Sequence, residues 1–255
     1  MPHEIITIPC LQDNYAYLIH DAKSGQTALV DAPEASPILA ELNERNWTLS
    51  EVWITHHHSD HVDGLGEILA QYSAKVVGSK DDAHRLPPLD MAVVDTEIFS
   101  FGGETVQVLD MSGHTIDHIA FYLPKSDAFF TADSLMIMGC GRLFEGTPAQ
   151  MYASLQKTAM MPPQTRIYSG HEYTSSNALF ATTVDPLNPA LISRMRDIED
   201  KRSKGLPTIP ATLKIERETN PFLRASNPKI QKHLNLDGAS PVEVFAEIRA
   251  RKDRF

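Results

Sequence analysis

Thr55-His56-His57-His58-Ser59-Asp60-His61-Val62-Asp63 holds four histidines and two aspartates in nine consecutive residues. Val52, Trp53 and Ile54 run into it with Thr55 as a β-branched or aromatic series, the mark of a short buried strand. Behind it Leu65, Ile68, Leu69 and Tyr72 recur at i, i+3, i+4 and i+7, one face of a helix, with Asp60 or Asp63 placed to cap its first turn. The histidines therefore leave a strand end and enter a helix start, where α/β folds keep their chemistry. In the extended part alternate side chains share a face, so His56 and His58 point together and His57 points away. Asp60 and His61 project to the same place as the chain turns. Three imidazoles and a carboxylate this close are costly unless a cation binds them, and a divalent metal is the usual answer. The bland alternatives, a solvated histidine-rich loop or an expression tag, lack the strand-and-helix frame.

Strand, Gly-containing turn and metal-type side chain recur further along. Glu104 to Leu109 alternates as a half-exposed strand and leads to Gly113-His114; Ala128 to Thr131 ends at Asp133; Arg166 to Tyr168 delivers Gly170-His171. Separate strands ending in such residues build one site at a sheet edge from distant sequence. Upstream, runs at 4–8, 15–19 and 27–30 open the sheet, and a short helix spans Pro37 to Leu42 with Ser36 as N-cap and Pro37 at N1. Residues 75–78 and 119–123 read as strands, 79–96 as loop and short helix, and 149–160 as helix. After 173 no β signal of any strength remains. Helices are expected at 175–184, at 189–204 behind an Asn188 cap, and from the Ser240-Pro241-Val242-Glu243 capping box to the end. The expected organisation is an α/β catalytic domain over 1–173 and a smaller all-α domain over 174–255.

The 255 residues are 42% hydrophobic with a formal charge of −10, which supports a sizeable core and argues against nucleic acid as a partner. Two cysteines, Cys10 and Cys140, make no disulfide framework and suit the cytoplasm. The N-terminus carries neither a basic n-region nor a long apolar run, so secretion and membrane insertion are not expected. No long apolar seam suggests obligate pairing, and a monomer is expected.

His56, His58, Asp60, His61, His114, Asp133 and His171 are seven candidate ligands, too many for one tetrahedral ion and suited to two that share a bridge. His57 is read as structural. His118 is either support for the ligands or a polar turn residue, and His3, His20, His84 and His233 are read as surface groups.

His56-x-His58-x-Asp60-His61 resembles the H-x-H-x-D-H signature of the metallo-β-lactamase superfamily. Five further stretches resemble its hydroxyacylglutathione hydrolase (glyoxalase II) branch: Asp13-Asn14-Tyr15, Cys140 to Thr147, Gly170 to Tyr173, Asn220 to Arg224, and Arg249 to Phe255. The resemblance implies an αββα sandwich followed by the helical domain. It assigns His56, His58 and His114 to one metal and Asp60, His61 and His171 to the other, with Asp133 bridging. It implies two divalent ions, zinc first, with iron or manganese as alternatives, and a hydroxide between them as nucleophile, which Asp60 orients. The implied substrate is S-D-lactoylglutathione, split to D-lactate and glutathione in methylglyoxal detoxification. Arg249 and Lys252, three apart on the last helix, would clamp glutathione carboxylates, with Arg142, Phe144 and Tyr173 completing the contacts. Alternatively, the basic end only complements a helix dipole. Rival readings are a mononuclear iron persulfide dioxygenase and a non-catalytic metal-binding module. Two departures stand out: Asp117 and Ala132 occupy places where many relatives carry glycine, which matters if the backbone there is left-handed.

Overall fold

The computed structural model describes residues 2–255, leaving Met1, the start of the expected catalytic domain, outside. The chain divides into two compact units, the first running to Asp110 and adding Asp117–Thr131, the second joining Met111–Ile116 to Ala132–Phe255.

In the first unit, β1 (Glu4–Cys10), β2 (Asn14–His20) and β3 (Gln26–Val30) form an antiparallel meander. The connection then changes character: α1 (Ala35–Arg45) carries the chain over to β4 (Thr48–Trp53), parallel to β3. Short helices α2 (Ser59–Val62) and α3 (Leu65–Leu69) carry it to β5 (Lys75–Ser79), and β6 (Met91–Val93) completes six strands in sequence order. Parallel pairing needs such crossovers, and it brings the end of β4, with its histidines, to one edge. Side chains alternate across the sheet. Ala16, Leu18, Val52 and Ile54 pack with Ile38, Leu42, Leu65 and Ile68 on the helical face. On the opposite face, Trp53 lies 5.2–5.4 Å from the rings of Phe99, Phe101 and Phe121. Those rings belong to β7 (Ile98–Phe101) and β9 (Ile119–Leu123), which with β8 (Glu104–Asp110) and β10 (Ala128–Ala132) form a second antiparallel set.

Several expectations shift. Helix α1 begins at Ala35 behind Glu34, not behind a Ser36 cap. The helix after the histidines breaks in two at Gly64, where a Cβ would lie 2.7 Å from the Ala35 nitrogen, so the chain passes too close for any other residue. Neither Asp60 nor Asp63 caps it: His58 is the N-cap of α2 and uses no side-chain bond, Asp60 lies in the first turn and Asp63 at the C-cap. Residues 79–96 contain β6 and no helix.

The second unit opens with the small hairpin β11 (Leu135–Met136) and β12 (Gly139–Cys140), then α4 (Pro148–Gln156), which ends earlier than expected and runs into a 3-10 turn over Lys157–Met160. Strand β13 (Arg166–Ser169) pairs with β14 (Ala211–Thr212), a strand placed where none was expected after 173. The remaining elements are helices: α5 (Thr174–Val184), α6 (Pro189–Ser203), α7 (Leu213–Thr219), α8 (Pro228–His233) and α9 (Pro241–Asp253). Asn188 caps α6 and the Ser240–Glu243 box opens α9, as the sequence implies. Hairpin β11–β12 is too short to satisfy its own backbone, and helical side chains do it instead. The Asn220 amide donates to Met136 O (3.1 Å) and Gly139 O (2.9 Å), Asn177 donates to Ile137 O (3.0 Å), and Met138 N donates to Glu216 Oε2 (2.8 Å). Among the described residues no helix is long and apolar enough to cross a membrane.

Candidate metal centre

His56, His58, Asp60 and His61 follow β4 in the first unit, and Asp31, at the end of the neighbouring β3, governs two of them. The buried Asp31 carboxylate accepts Thr55 N and the Thr55 hydroxyl, both at 2.9 Å, and His61 Nδ1 at 2.8 Å. A carboxylate only accepts, so His61 carries its proton on Nδ1 and presents its Nε2 lone pair. The Thr55 hydroxyl spends its proton on Asp31, so at 3.0 Å it accepts from His56 Nδ1 and leaves the His56 Nε2 lone pair outward as well. One carboxylate thus sets two imidazole tautomers, the outer-shell support that metal-binding histidines need. The Asn14 amide meets Asp60 at both its backbone oxygen and Oδ2, each 3.0 Å, and Asp60 Oδ2 stands 3.8 Å from His61 Nε2. His57 turns away to Asp82 (3.1 Å), as expected of a structural residue, and the ring of His118 stacks on His56 at 4.8 Å. Of the histidines expected at the surface, His84 and His233 are exposed. His3 and His20 are not: His3 is buried against Glu104 (3.3 Å), and His20 against Thr27 and the ring of Trp47. His20 closes β2 and His3 stands just ahead of β1, both turned to partners that lie far off in the sequence or on the next strand.

The second unit brings His114, Asp133 and His171 together. Asp133 Oδ2 lies 3.4 Å from His114 Nε2 and 3.2 Å from His171 Nε2. The Arg142 carbonyl accepts from His114 Nδ1 at 2.7 Å, which again puts the lone pair on Nε2, facing a carboxylate oxygen. Two electron-rich groups at that separation require positive charge between them, and a divalent cation meets the requirement for all three residues. The donor chemistry of both halves fits metal.

The loop after β12 encloses His114. Phe144 N and Glu145 N donate to His114 O (3.1 and 3.4 Å), and the Phe144 ring meets the imidazole edge-on at 5.3 Å. Gly141 is obligatory there, since a Cβ would lie 1.9 Å from Asp133 O and 3.0 Å from His114 Nδ1. Exposed Tyr173 stacks flat on His171 (4.8 Å, 7°). Arg142 is exposed and lies over Phe144, 3.6 Å from Asp253. Lys252 is half-buried: its ammonium bonds Ser176 Oγ (3.1 Å) and O (3.3 Å) between the rings of Phe180 and Phe255, and burial with the neighbouring Arg249 charge brings its pKa down to about 8. Arg249 is only 6% exposed, and its guanidinium is directed at Cys140 O and Asp253.

The two residues that stand in place of glycine do have left-handed backbones: φ is 64° at Asp117 and 40° at Ala132, next to Asp133. Asp31 shares that geometry with φ 57°. Asp31 and Thr55 were not singled out from sequence; an aspartate closing an apolar strand beside the histidine-bearing one was the available signal. Asn14 stood out only through the family resemblance.

Residues 12–171 match the metallo-β-lactamase superfamily, and residues 172–255 match the hydroxyacylglutathione hydrolase C-terminus. Hydroxyacylglutathione hydrolases from Ruegeria pomeroyi and Roseobacter denitrificans are each 61% identical over 255 residues, covering 100% of both chains. Among solved structures, ETHE1 from Myxococcus xanthus superposes with a TM-score of 0.66 at 26% identity, covering 99% of this chain and 98% of its own.

Proposed function

Since the chain belongs to the hydroxyacylglutathione hydrolase branch of the metallo-β-lactamase superfamily, with its αββα fold and helical C-terminal region, we propose that it hydrolyses S-D-lactoylglutathione to D-lactate and glutathione. It is a metal-dependent hydrolase, and this thioester is its substrate. The observation that carries the reading is the match of 172–255 to the hydroxyacylglutathione hydrolase C-terminus, because the superfamily match over 12–171 does not by itself choose among lactam, phosphodiester and thioester. The persulfide dioxygenase and the non-catalytic module are not favoured.

His56, His58 and His114 would hold one ion, Asp60, His61 and His171 the second, and Asp133 would bridge them. Zinc suits this histidine and carboxylate set. When bound, the ions supply a water acidified to a pKa of about 7 and a Lewis acid for the thioester carbonyl. The protein does the rest. Asp60, steadied by Asn14, orients the attacking oxygen, and Asp31 keeps His56 and His61 in the ligating tautomer. Phe144 and Tyr173 offer ring faces to the substrate beside His114 and His171. Arg249 and Lys252 on the last helix would clamp glutathione's carboxylates, with Arg142 from the loop after β12 completing the contacts. The departing thiolate has an ordinary pKa of about 8.5, so it leaves without a dedicated acid. In this reading residues 1–173 perform catalysis and 174–255 select the substrate, in a cytoplasmic monomer. The test is steady-state turnover of S-D-lactoylglutathione, a cephalosporin and a phosphodiester by protein of known metal content. Comparable kcat/KM on either alternative sinks the assignment.

A further inference from the structure

Within the stretch Cys140 to Thr147, Arg142 and Phe144 have places in the proposed reaction and Glu145 has none. It stands just ahead of α4, against the turn that carries His114. Before His114 that turn is fixed by packing. The Ser154 hydroxyl, on α4, donates to Ser112 O at 2.7 Å. A Cβ on Gly113 would lie 2.6 Å from the Met151 Cβ, and one on Gly146 would lie 2.6 Å from Gly113 Cα. Beyond Thr115 the packing thins out, and Ile116 is 42% exposed. Two successive peptide planes follow His114 here. The first is tied by main chain, since Phe144 N and Glu145 N donate to His114 O. The second is tied by a side chain: Glu145 Oε2 accepts Ile116 N at 2.8 Å, the length of a charge-assisted bond.

We propose that Glu145 is a positioning residue for His114. By holding the Ile116 amide it fixes the second peptide beyond the ligand, and with it the direction in which the imidazole leaves the backbone. Arg142 O, 2.7 Å from Nδ1, sets the rotation of the ring, and Glu145 sets the backbone from which the ring hangs. This deepens the reading of His114 as a metal ligand and rests on it. Reach decides in such a role, and charge alone does not. An aspartate keeps the charge but is one methylene too short, whereas a glutamine keeps the reach and an acceptor oxygen.

Wild type, Glu145→Ala, Glu145→Asp and Glu145→Gln are stripped of metal, and exchange of the Ile116 amide with deuterated solvent is followed by NMR. Each is then titrated with zinc against a chromophoric chelator, and assayed at saturating zinc for kcat and KM on S-D-lactoylglutathione. In Glu145→Ala the Ile116 amide should exchange faster. Zinc should bind about three- to tenfold more weakly, the net worth of one hydrogen bond, and KM should stay within about twofold. Glu145→Gln should follow wild type and Glu145→Asp should follow Glu145→Ala. The reverse order, with zinc held normally by Glu145→Asp and weakly by Glu145→Gln, would assign the effect to charge near the ions and overturn the proposal. Should Glu145→Ala not fold, that pair of variants decides. A raised KM with zinc affinity unchanged would make Glu145 a substrate contact and overturn it as well. A wild type that takes up no zinc sinks the ligand reading and this proposal with it. A wild type that takes up zinc no better than Glu145→Ala sinks the proposal alone.

Discussion

Asp31→Asn should weaken ion binding while leaving the backbone nearly untouched. Asparagine tolerates the left-handed φ of 57° as aspartate does, so the substitution adds no strain. Its single oxygen can still accept Thr55 N. The amide NH2 then faces the Thr55 hydroxyl and His61 Nδ1, both of which donate to the carboxylate at 2.8–2.9 Å. The hydroxyl can rotate, which unseats the anchor of His56. His61 can answer only by moving its proton to Nε2, and a protonated Nε2 cannot ligate. One charge-assisted bond is worth about 1.5–3 kcal/mol. At about 1.4 kcal/mol per tenfold, zinc affinity should drop about ten- to a hundredfold. The apo protein should lose only a few degrees of melting temperature, at about 2–4 °C per kcal/mol for a chain of this size. Chelator competition and metal analysis measure the first quantity, and a thermal melt of the chelated protein the second. Wild-type affinity for both ions in Asp31→Asn would refute the tautomer argument.

Asp133→Asn should lower metal occupancy and turnover together; full activity with one ion per chain would contradict a bridging role. Lys252 carries its charge only below its lowered pKa of about 8, so KM for the glutathione thioester should climb as pH passes that value and stay flat in Lys252→Ala. The same shift makes the unfolded chain hold more protons between about 8 and 10.5, so this lysine's penalty on folding fades across that window, read as a melting temperature less pH-sensitive in Lys252→Met. Asp117→Gly should raise stability: relief of about 1–2 kcal/mol of left-handed strain outweighs about 0.4–1 kcal/mol of added unfolded-state entropy. Burial, then Asp81 and Asp82, raise the Asp117 pKa, so its ionised form is penalised at pH 7 and not below the ordinary value of 3.8. The gain on mutation should therefore be larger at pH 7 than at pH 3.5, and an equal gain at both would show the charge is irrelevant.

Strands that end in metal-type side chains are legible because a buried strand of branched and aromatic residues announces itself, and because H-x-H-x-D-H has few other uses. The misses have physical reasons. Three residues suffice for β6 and two for β14, too few for any period to show, and the need for glycine at 64 comes from the Ala35 backbone, whose nitrogen would lie 2.7 Å from an added Cβ. Asp31 acts on the candidate site only through tertiary neighbours, so nothing local marks it. Left-handed turns at Asp117 and Ala132 could be anticipated from glycine-bearing relatives, but not their presence without glycine.

The hairpin between Asp133 and Arg142 bears on modularity. Its carbonyls and one of its amides are met by Asn177, Glu216 and Asn220, all beyond residue 173. A chain cut there would leave those backbone groups buried and unmet, at about 1–3 kcal/mol each. The helical region is thus no accessory that recombination could exchange for another specificity. A graft onto a different lactamase-type half would have to carry the hairpin along, or rewrite its turn so that it no longer needs outside partners.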